Sequence, residues 1–291
     1  MKIKGIGRIL LYLARKKSES LKKSFIVSHQ DLIKKNLSAS PGKFEGTLLG
    51  FSGDHYFYEQ LYSSLSFIRN VGLPDKWIIV SDGTYTAKQK NILELIPNLQ
   101  IVNFDEIIDK NFKMLDPLIE AHRLGKFATT YFSILNKVEE RLIYMEADVL
   151  VFPSFNKYQH LFKKNNWYLT DTAPHFDSYY SEENKMPMFP VNNGFAIYNS
   201  RPPLEVACNY FVDRLKDGKF EYFTPQSASQ LMIDQDTDSR FFDPRYFVVS
   251  GSDHFKFAVG HLPQNIALRH YVGPVRHKMW QTNWRDVLQT K

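Results

Sequence analysis

The stretch from Thr47 to Glu106 alternates between two hydrophobic patterns, and this alternation constrains the fold more than any other feature of the chain. TLLGFS, KWIIVSDG and LQIVNFDE are typical of buried strands, whereas HYFYEQLYSSLSFIRN and TAKQKNILELI, which separate them, are typical of helices. Strands that alternate with helices predict parallel βαβ units, because each helix returns the chain to the same edge of the sheet. Ligands of such sheets bind beyond the carboxyl ends of the strands. We therefore expect a ligand near the polar residues that follow the first two strands, Ser52 to Asp54 and Ser81 to Gly83.

The second half of the chain has a different order of elements. A long helix is predicted from about Pro117 to Glu140, and it leads directly into the strand RLIYM. Further strands are predicted in NWYLTDTAP, NNGFAIYNS, RYFVVSG and IALRHYVGP, and helices in PPLEVACNYFVDRL and PQSASQLMI. No linker rich in proline, glycine or serine interrupts residues 46–291, so we expect a single domain with halves of about 46–152 and 153–291.

Positive charge is concentrated at the N-terminus. Residues 1–35 contain ten Lys or Arg against two acids, whereas the whole chain has a formal net charge of +6. The remaining residues are therefore near neutral, and no basic stripe interleaved with aromatics runs through them. We expect residues 1–45 to form a basic arm, and we do not expect nucleic acid as a partner.

Apolar and basic residues of this arm separate on a helical wheel. One side carries Ile3, Ile6, Ile9, Leu10 and Leu13, and Lys4, Arg8 and Arg15 point away from it. This pattern is typical of an amphipathic helix at an anionic membrane surface, contacted through residues 1–35, and a solvated, poorly ordered tail explains it equally well. The apolar run from Ile9 to Ala14 is too short to cross a bilayer.

The chain has one cysteine, Cys208, inside a predicted helix. An internal disulfide is therefore excluded, which suits a reducing compartment. We expect the protein to be cytoplasmic, either in solution or peripheral at the inner face of the membrane.

Two carboxylates interrupt an otherwise apolar run, RLIYMEADVLVFPS, from Arg141 to Ser154. Strand alternation would send Glu146 and Asp148 to the same side at the end of the predicted strand. Two like charges at one spot are unfavourable alone, and a divalent cation such as Mg²⁺ or Mn²⁺ with a phosphate ligand removes the conflict. An acidic surface turn would explain the pair about as well.

This acidic motif resembles the metal-binding motif of the GT-A glycosyltransferases, especially the branch of glycogenin and the bacterial galactosyltransferases. Two further segments, NNGFAIYN (Asn192 to Asn199) and RHYVGPVRHKMW (Arg269 to Trp280), are similar to motifs of that branch. The resemblance extends from about Thr47 to Trp280. It implies an α/β fold of the Rossmann-like GT-A type, with a mostly parallel mixed sheet flanked by helices, a nucleotide-binding first half and an acceptor-binding second half.

The resemblance also implies roles for individual residues. It assigns the metal, Mn²⁺ or Mg²⁺, to Glu146, Asp148 and His270. It assigns the nucleotide and donor sugar to Ser52, Asp54, Tyr56, Asp82, Lys126, Glu146, Ala147, Gly194, Gly273, Arg276 and Lys278. It places Gln226, Asp171 and Asn193 around the transferred sugar and the acceptor. The chain departs from the pattern at Glu146, where aspartate is usual, at Arg276, where lysine is expected, and at Pro225, where an acid often stands.

These residues imply metal-assisted transfer of a sugar from a nucleotide diphosphate sugar, with UDP as the favoured carrier, to an acceptor hydroxyl with retention of anomeric configuration. Two alternatives use the same residues differently. A metal-dependent hydrolase of nucleotide sugars or phosphoesters would activate water with the same acids. A membrane-associated binding protein without catalytic activity would retain only the basic arm and an altered acidic motif.

Overall fold

The computed structural model describes residues 6–108, 123–171, 173–249, 261–282 and 284–288. Its helices are α1 (Ile6–Ser38), α2 (Phe57–Asn70), α3 (Ala87–Leu93), α4 (Phe104–Ile107), α5 (Arg123–Leu135), α6 (Ser178–Glu183), α7 (Glu205–Lys216), α8 (Thr224–Gln235), α9 (His277–Gln281) and α10 (Trp284–Leu288). Its strands are β1 (Lys43–Ser52), β2 (Leu73–Ser81), β3 (Leu99–Asn103), β4 (Leu142–Met145), β5 (Val149–Val151), β6 (Asn166–Thr170), β7 (Val191–Tyr198), β8 (Ser239–Phe241), β9 (Phe247–Val249) and β10 (Leu268–His270). Short 3₁₀ turns span Asp54–Tyr56, Pro153–Lys157, Gln159–Phe162 and Gly273–Val275.

Seven strands form the central sheet in the order β3-β2-β1-β4-β7-β6-β8. Strands β1 to β4 are parallel, which confirms the βαβ units expected from the alternating pattern. Strand β7 runs antiparallel to both β4 and β6, so the second half of the sheet is mixed, as the order of its predicted elements indicated. The long helix predicted before β4 is observed from Arg123 and ends at Leu135, earlier than the predicted end at about Glu140, and residues 117–122 of that prediction lie outside the described residues.

Both faces of the central sheet are covered, which explains why its strands are apolar at successive positions. In β1, Leu48 packs in the core that contains α2, whereas its neighbour Leu49 packs on the other face in the core that contains α5, α7 and α8. In β4, Ile143 and Tyr144 divide between the two cores in the same way. A strand buried on both faces has no position for a charged side chain, so Glu146 has to lie beyond the end of β4.

A second sheet of three strands, in the order β5-β10-β9, lies beside the end of β4. Strand β10 pairs antiparallel with β5, and His270 lies opposite Val149. Because Val149 directly follows Asp148 in the chain, this register brings the last residue of β10 to the acidic turn. Two distant segments thus meet at one point through main-chain pairing.

The N-terminal helix α1 contributes to the core of the body. Phe25 is fully buried, and its ring lies 5.5 Å from the ring of Tyr62, 5.3 Å from Trp280 and 6.0 Å from Trp284. Lys22 forms an ion pair of 2.6 Å with Glu59, which also accepts a hydrogen bond from the Trp280 indole. The second half of the predicted basic arm is therefore a helix packed on the body, and a poorly ordered tail does not describe it.

Candidate functional site

The acidic turn and the end of β10 form a compact cluster of three titratable side chains. His270 Nε2 lies 3.2 Å from Glu146 Oε2 and 3.1 Å from Asp148 Oδ1. Asp148 and His270 are buried, whereas about a third of the Glu146 side chain, 34%, is exposed. The structure thus brings together the three residues that the sequence analysis assigned to a metal.

Main-chain hydrogen bonds hold the turn in place from both sides. The N–H of Glu146 donates to the carbonyl of Gly194 in β7 at 2.9 Å, and the N–H of Tyr271 donates to the carbonyl of Asp148 at 2.9 Å. Within the turn, the N–H of Val149 donates to the carbonyl of Glu146. Because the backbone is fixed at the sheet edge, the two carboxylates need no rearrangement of the main chain to point at His270.

Asn192 orients the imidazole of His270. Its amide Oδ1 lies 2.7 Å from His270 Nδ1 and also accepts a hydrogen bond from the Gly194 N–H at 3.0 Å. An amide oxygen can only accept, so Nδ1 carries a proton and Nε2 of a neutral His270 presents its lone pair to the acids. This tautomer is the one that a metal ligand at Nε2 requires.

Asn192 was not among the candidates taken from the sequence, which named its neighbour Asn193. The pairing of β7 with β6 is irregular at this place, because Tyr168 lies opposite Ala196 whereas Leu169 lies opposite Asn192. An irregular strand does not follow simple alternation, so the sequence could not tell which asparagine faces His270. The sequence signal that could have identified Asn192 as the partner of His270 is its spacing of two residues from Gly194. A role for Asn193 at the sugar stays a prediction.

Gly194 makes room for the imidazole. A Cβ atom at this position would lie 2.2 Å from His270 Nδ1, which is closer than any real contact. The family resemblance implies a donor-binding role for Gly194, which stays a prediction. In the structure a glycine is required at this position because β7 and His270 lie too close together for a Cβ atom.

Arg276 neutralises the most buried acid of the site. Its Nε and Nη2 atoms lie 2.7 Å and 2.6 Å from Asp148 Oδ2, and its Nη1 donates to the Tyr56 hydroxyl at 2.9 Å. Burial by itself would raise the pKa of Asp148, but the charges of His270 and Arg276 outweigh it and hold this pKa below its usual value. Arg276 and Lys278 are the two candidates for a cation that binds a phosphate. Arg276 lies beside Asp148 and is partly exposed, whereas Lys278 is buried.

The polar residues at the ends of β1 and β2 form one connected loop region. The Thr84 hydroxyl donates to Asp82 Oδ1 at 2.5 Å and accepts from the Asp54 N–H at 2.9 Å. A Cβ atom at Gly53 would lie 2.3 Å from Asp82, so the two loops approach closely. Ser52 is buried at the end of β1, and Tyr56 joins this region to Arg276.

The remaining candidates lie at different distances from this centre. Asp171 accepts a hydrogen bond from the Asn192 amide at 3.0 Å, which links it to His270 through one residue, and it also accepts from the Ala173 N–H. Gln226 is the third residue of α8, and its buried Nε2 has no hydrogen-bond partner among the described residues. Lys126 lies 4.0 Å from Asp105, and both are largely exposed. Ala147 is half-buried between the acids, and Gly273 is exposed with open space where a Cβ would stand.

We expect His270 to remain protonated at neutral pH when no metal is bound. Burial by itself would lower the pKa of His270, but the charges of Asp148 and Glu146 outweigh it and raise this pKa to about 10. The resulting stabilisation is present below the unfolded pKa of about 6.5 and is lost as the pH rises through about 10. NMR titration of the imidazole resonances in the presence of EDTA measures the pKa of His270. The Asp148→Asn variant should lower the pKa by at least about one unit, and a wild-type value near 6.5 would contradict the ion pairs.

The donor set fits a divalent cation. The ligand atoms of Glu146, Asp148 and His270 all lie within 4.8 Å of one another. Two carboxylate oxygens and one imidazole nitrogen suit Mn²⁺, and the carboxylates alone suit Mg²⁺. The open side at Glu146 leaves room for further oxygen ligands, such as those of a phosphate.

Comparisons with known proteins identify the architecture. No family model matches the sequence, and no curated protein is significantly similar to it. Among solved structures, the chain is similar to the galactosyltransferase LgtC in complex with donor and acceptor sugar analogues, with 12% identity, a TM-score of 0.54, and coverage of 84% of this chain and 95% of that chain. Mouse xyloside xylosyltransferase 1 in its apo form gives 11% identity, a TM-score of 0.55, and coverage of 80% and 99%.

A third similar structure is the glycosyltransferase GlyE of Streptococcus pneumoniae TIGR4. It gives 12% identity, a TM-score of 0.51, and coverage of 84% of this chain and 62% of that chain. At these identities the likeness shows the fold, and the sheet order with its acidic turn after β4 agrees with it. The chain has the GT-A fold of these glycosyltransferases.

Proposed function

We propose that the protein transfers a sugar from a nucleotide diphosphate sugar to an acceptor hydroxyl. One observation carries this proposal: on a GT-A fold, Glu146, Asp148 and His270 converge at the end of β4 with their ligand atoms within 4.8 Å, and Arg276 stands beside them. This combination of acids, imidazole and guanidinium suits a metal-bound diphosphate better than an ordinary surface turn, in which acids stay exposed and unpaired.

Glu146, Asp148 and His270 would hold Mn²⁺ or Mg²⁺. When bound, the cation would supply positive charge against the diphosphate oxygens. Glu146 has the longer side chain of the two acids and is the most exposed of the three residues. It is therefore the residue suited to contact both the cation and the ribose of the nucleotide.

Arg276 would supply a second positive charge to the diphosphate. Arg276 now neutralises Asp148. Its contact with this carboxylate therefore opposes the binding of a cation to the same carboxylate. Release from Asp148 leaves a planar guanidinium that suits two phosphate oxygens at once. Tyr56, which accepts a hydrogen bond from Arg276, keeps it near the loops after β1 and β2.

These loops would bind the nucleoside of the donor. UDP is the favoured nucleotide carrier of the sugar. Ser52, Asp54 and Asp82 provide hydrogen-bond acceptors there, and the carboxyl edge of a parallel sheet is where such ligands bind. Gly273 would allow the main chain to approach the diphosphate, because no atom of the described residues lies within 4 Å of the place of its absent Cβ. Lys126 and Ala147 complete the proposed donor region, whereas Lys278 is left out of it because its side chain is buried.

In the proposed reaction, the bond between the anomeric carbon and the diphosphate oxygen breaks, and the acceptor oxygen forms a bond to the same carbon. The acceptor proton passes to the departing phosphate oxygen, so the products are the glycoside and the nucleoside diphosphate. Attack on the same face retains the anomeric configuration. Asp171, Asn193 and Gln226 would surround the sugar and acceptor, and Asn192 would position His270 and Asp171.

Release of nucleoside diphosphate with and without acceptor tests this function. The purified chain is given UDP-sugars or GDP-sugars, Mn²⁺ and a panel of alkyl glycosides, and both the nucleoside diphosphate and the sugar products are analysed. We expect UDP release that rises with one acceptor class, yields a glycoside and stops with EDTA. Equal release without acceptor, yielding free sugar, would indicate the hydrolase instead. No release from UDP-sugars or GDP-sugars would contradict an active transferase.

A further inference from the structure

The N-terminal end of α1, residues 8–17, has an exposed apolar stripe, and we call this segment the α1 tip. Ile9 is 60% exposed, Leu10 47% and Leu13 55%. Large aliphatic side chains are seldom exposed together on one side of a helix without a partner, although single exposed ones are common. The stripe is therefore a candidate contact surface.

The stripe faces away from the body because the rest of α1 is fixed. The Ser18 hydroxyl donates to the His277 carbonyl at 2.7 Å, and the Gln281 amide donates to the Ala14 carbonyl at 2.8 Å. At about 100° per residue, Ile9 and Leu13 lie about 140–180° around the helix from Ser18. The side of the helix that docks on α9 is therefore opposite Ile9 and Leu13, whereas Leu10, about 80° from Ser18, lies at the margin of the stripe.

Basic residues are concentrated in the same segment as the stripe, and Lys16 and Lys17 lie next to its apolar side chains. Residues 1–18 contain six Lys or Arg and no acid, and the first acid of the chain is Glu19. Arg15, Lys16 and Lys17 are exposed at the tip, and Lys16 lies 4.9 Å from the ring centre of the exposed Tyr12. An apolar stripe with an aromatic residue and flanking cations is complementary to an anionic lipid interface, where headgroups are negative and acyl chains are accessible just below them.

We infer that the α1 tip docks on an anionic membrane surface, with the stripe inserted at the level of the headgroups and the cations paired with lipid phosphates. In the described part of the chain, no helix is long and apolar enough to cross a bilayer. A second copy of the chain is a poorer occupant, because two tips of the same high positive charge would repel each other. The structure also narrows the contact to the tip, since α1 beyond Ser18 buries Phe25, Leu32 and Ile33 against the body.

Co-sedimentation with vesicles tests the apolar part of this surface. The full chain is mixed with vesicles of phosphatidylcholine alone or with about one third phosphatidylglycerol. We expect binding to the anionic vesicles only, and at least about tenfold weaker binding for the Leu10→Ser/Leu13→Ser variant. The control is Leu95→Ser/Leu161→Ser, because these leucines are 47% and 49% exposed and lie outside α1. Equal losses in both variants, or equal binding to neutral vesicles, would overturn the proposal.

A charge series tests the electrostatic part. Each cation near an anionic surface contributes about a fivefold gain in binding, so Arg15→Ser/Lys16→Ser/Lys17→Ser should weaken binding about a hundredfold. Lys23→Ser/Lys34→Ser/Lys35→Ser removes the same charge from the part of α1 beyond the tip and should have a clearly smaller effect. If the two triple variants weakened vesicle binding equally, net charge alone would explain the binding, and a contact specific to the α1 tip would be contradicted. Light scattering after gel filtration completes the test, since a dimer that the leucine variant dissociates would assign the stripe to a second copy instead.

Discussion

Replacement of Asp148 by asparagine is expected to lower metal-dependent sugar transfer by about a thousandfold. Asp148 is the buried acid of the cluster, and its two oxygens contact both His270 and Arg276. An amide of the same size fills the same space but carries no charge, so it cannot retain the cation. The fold should persist with a stability loss of about 3 kcal/mol, because a buried charge pair is broken. Steady-state kinetics with varied Mn²⁺ and urea unfolding measure the two effects separately.

The matched control for this variant is Asp243→Asn. Asp243 also pairs with an arginine, Arg245, at 2.6 Å, but it lies on an exposed turn outside the proposed site. Its replacement should leave transfer within about twofold of the wild type, because exposed ion pairs contribute little. If Asp148→Asn retained full activity in buffer with Mn²⁺, or if both variants lost activity equally, the metal role of Asp148 would be wrong.

Replacement of Gly194 by alanine is expected to displace His270 and to weaken Mn²⁺ binding by about 10- to 100-fold. The added methyl group would lie 2.2 Å from His270 Nδ1. Strand β7 cannot retreat easily, because the Gly194 carbonyl accepts the hydrogen bond of the Glu146 N–H. The imidazole therefore has to move, and it loses its contact with Asn192. Overpacking of this kind should also cost about 1–3 kcal/mol of stability. Calorimetric titration with Mn²⁺ and UDP measures the change in affinity.

A double-mutant cycle separates an effect on His270 from general damage. Gly194→Ala, His270→Ala and the combined variant are compared for Mn²⁺ affinity. If the alanine acts through His270, the combined variant should bind Mn²⁺ about as weakly as His270→Ala alone, because no imidazole remains to be displaced. Additive losses would show that Gly194 affects the site by another route.

Local sequence patterns were sufficient to predict six of the seven strands of the central sheet, and the edge strand β8 was not predicted. The apolar runs at β1, β2 and β4 are buried on both faces, and helices of the expected pattern connect them. The positions of Glu146 and Asp148 could also be predicted, because a carboxylate that follows a strand buried on both faces has to lie beyond the end of that strand. The third proposed ligand, His270, was named only through a family resemblance, since the pairing of β10 with β5 that brings it to Asp148 spans more than a hundred residues.

Other parts of the site depend on contacts that no local pattern contains. The choice of Arg276 over Lys278 at the acids follows from the turn at Gly273–Val275 and from the contact with Tyr56, 220 residues away in the chain. Asn192 reaches His270 through an irregular strand pairing. The N-terminal helix resembles a free basic arm in sequence, because its buried positions are spread thinly along 33 residues. Trp280, named as part of a terminal motif, packs against Phe25 and donates to Glu59.

The measurement that tests the central claim most directly is calorimetric titration of the purified chain with UDP, and with GDP for comparison, in Mn²⁺ and in EDTA. We expect micromolar binding of UDP that requires Mn²⁺ and that Asp148→Asn abolishes. Binding of UDP that is unchanged by EDTA, or no binding of either nucleotide to a protein shown to be folded, would contradict a metal-dependent nucleotide-sugar site at Glu146, Asp148 and His270.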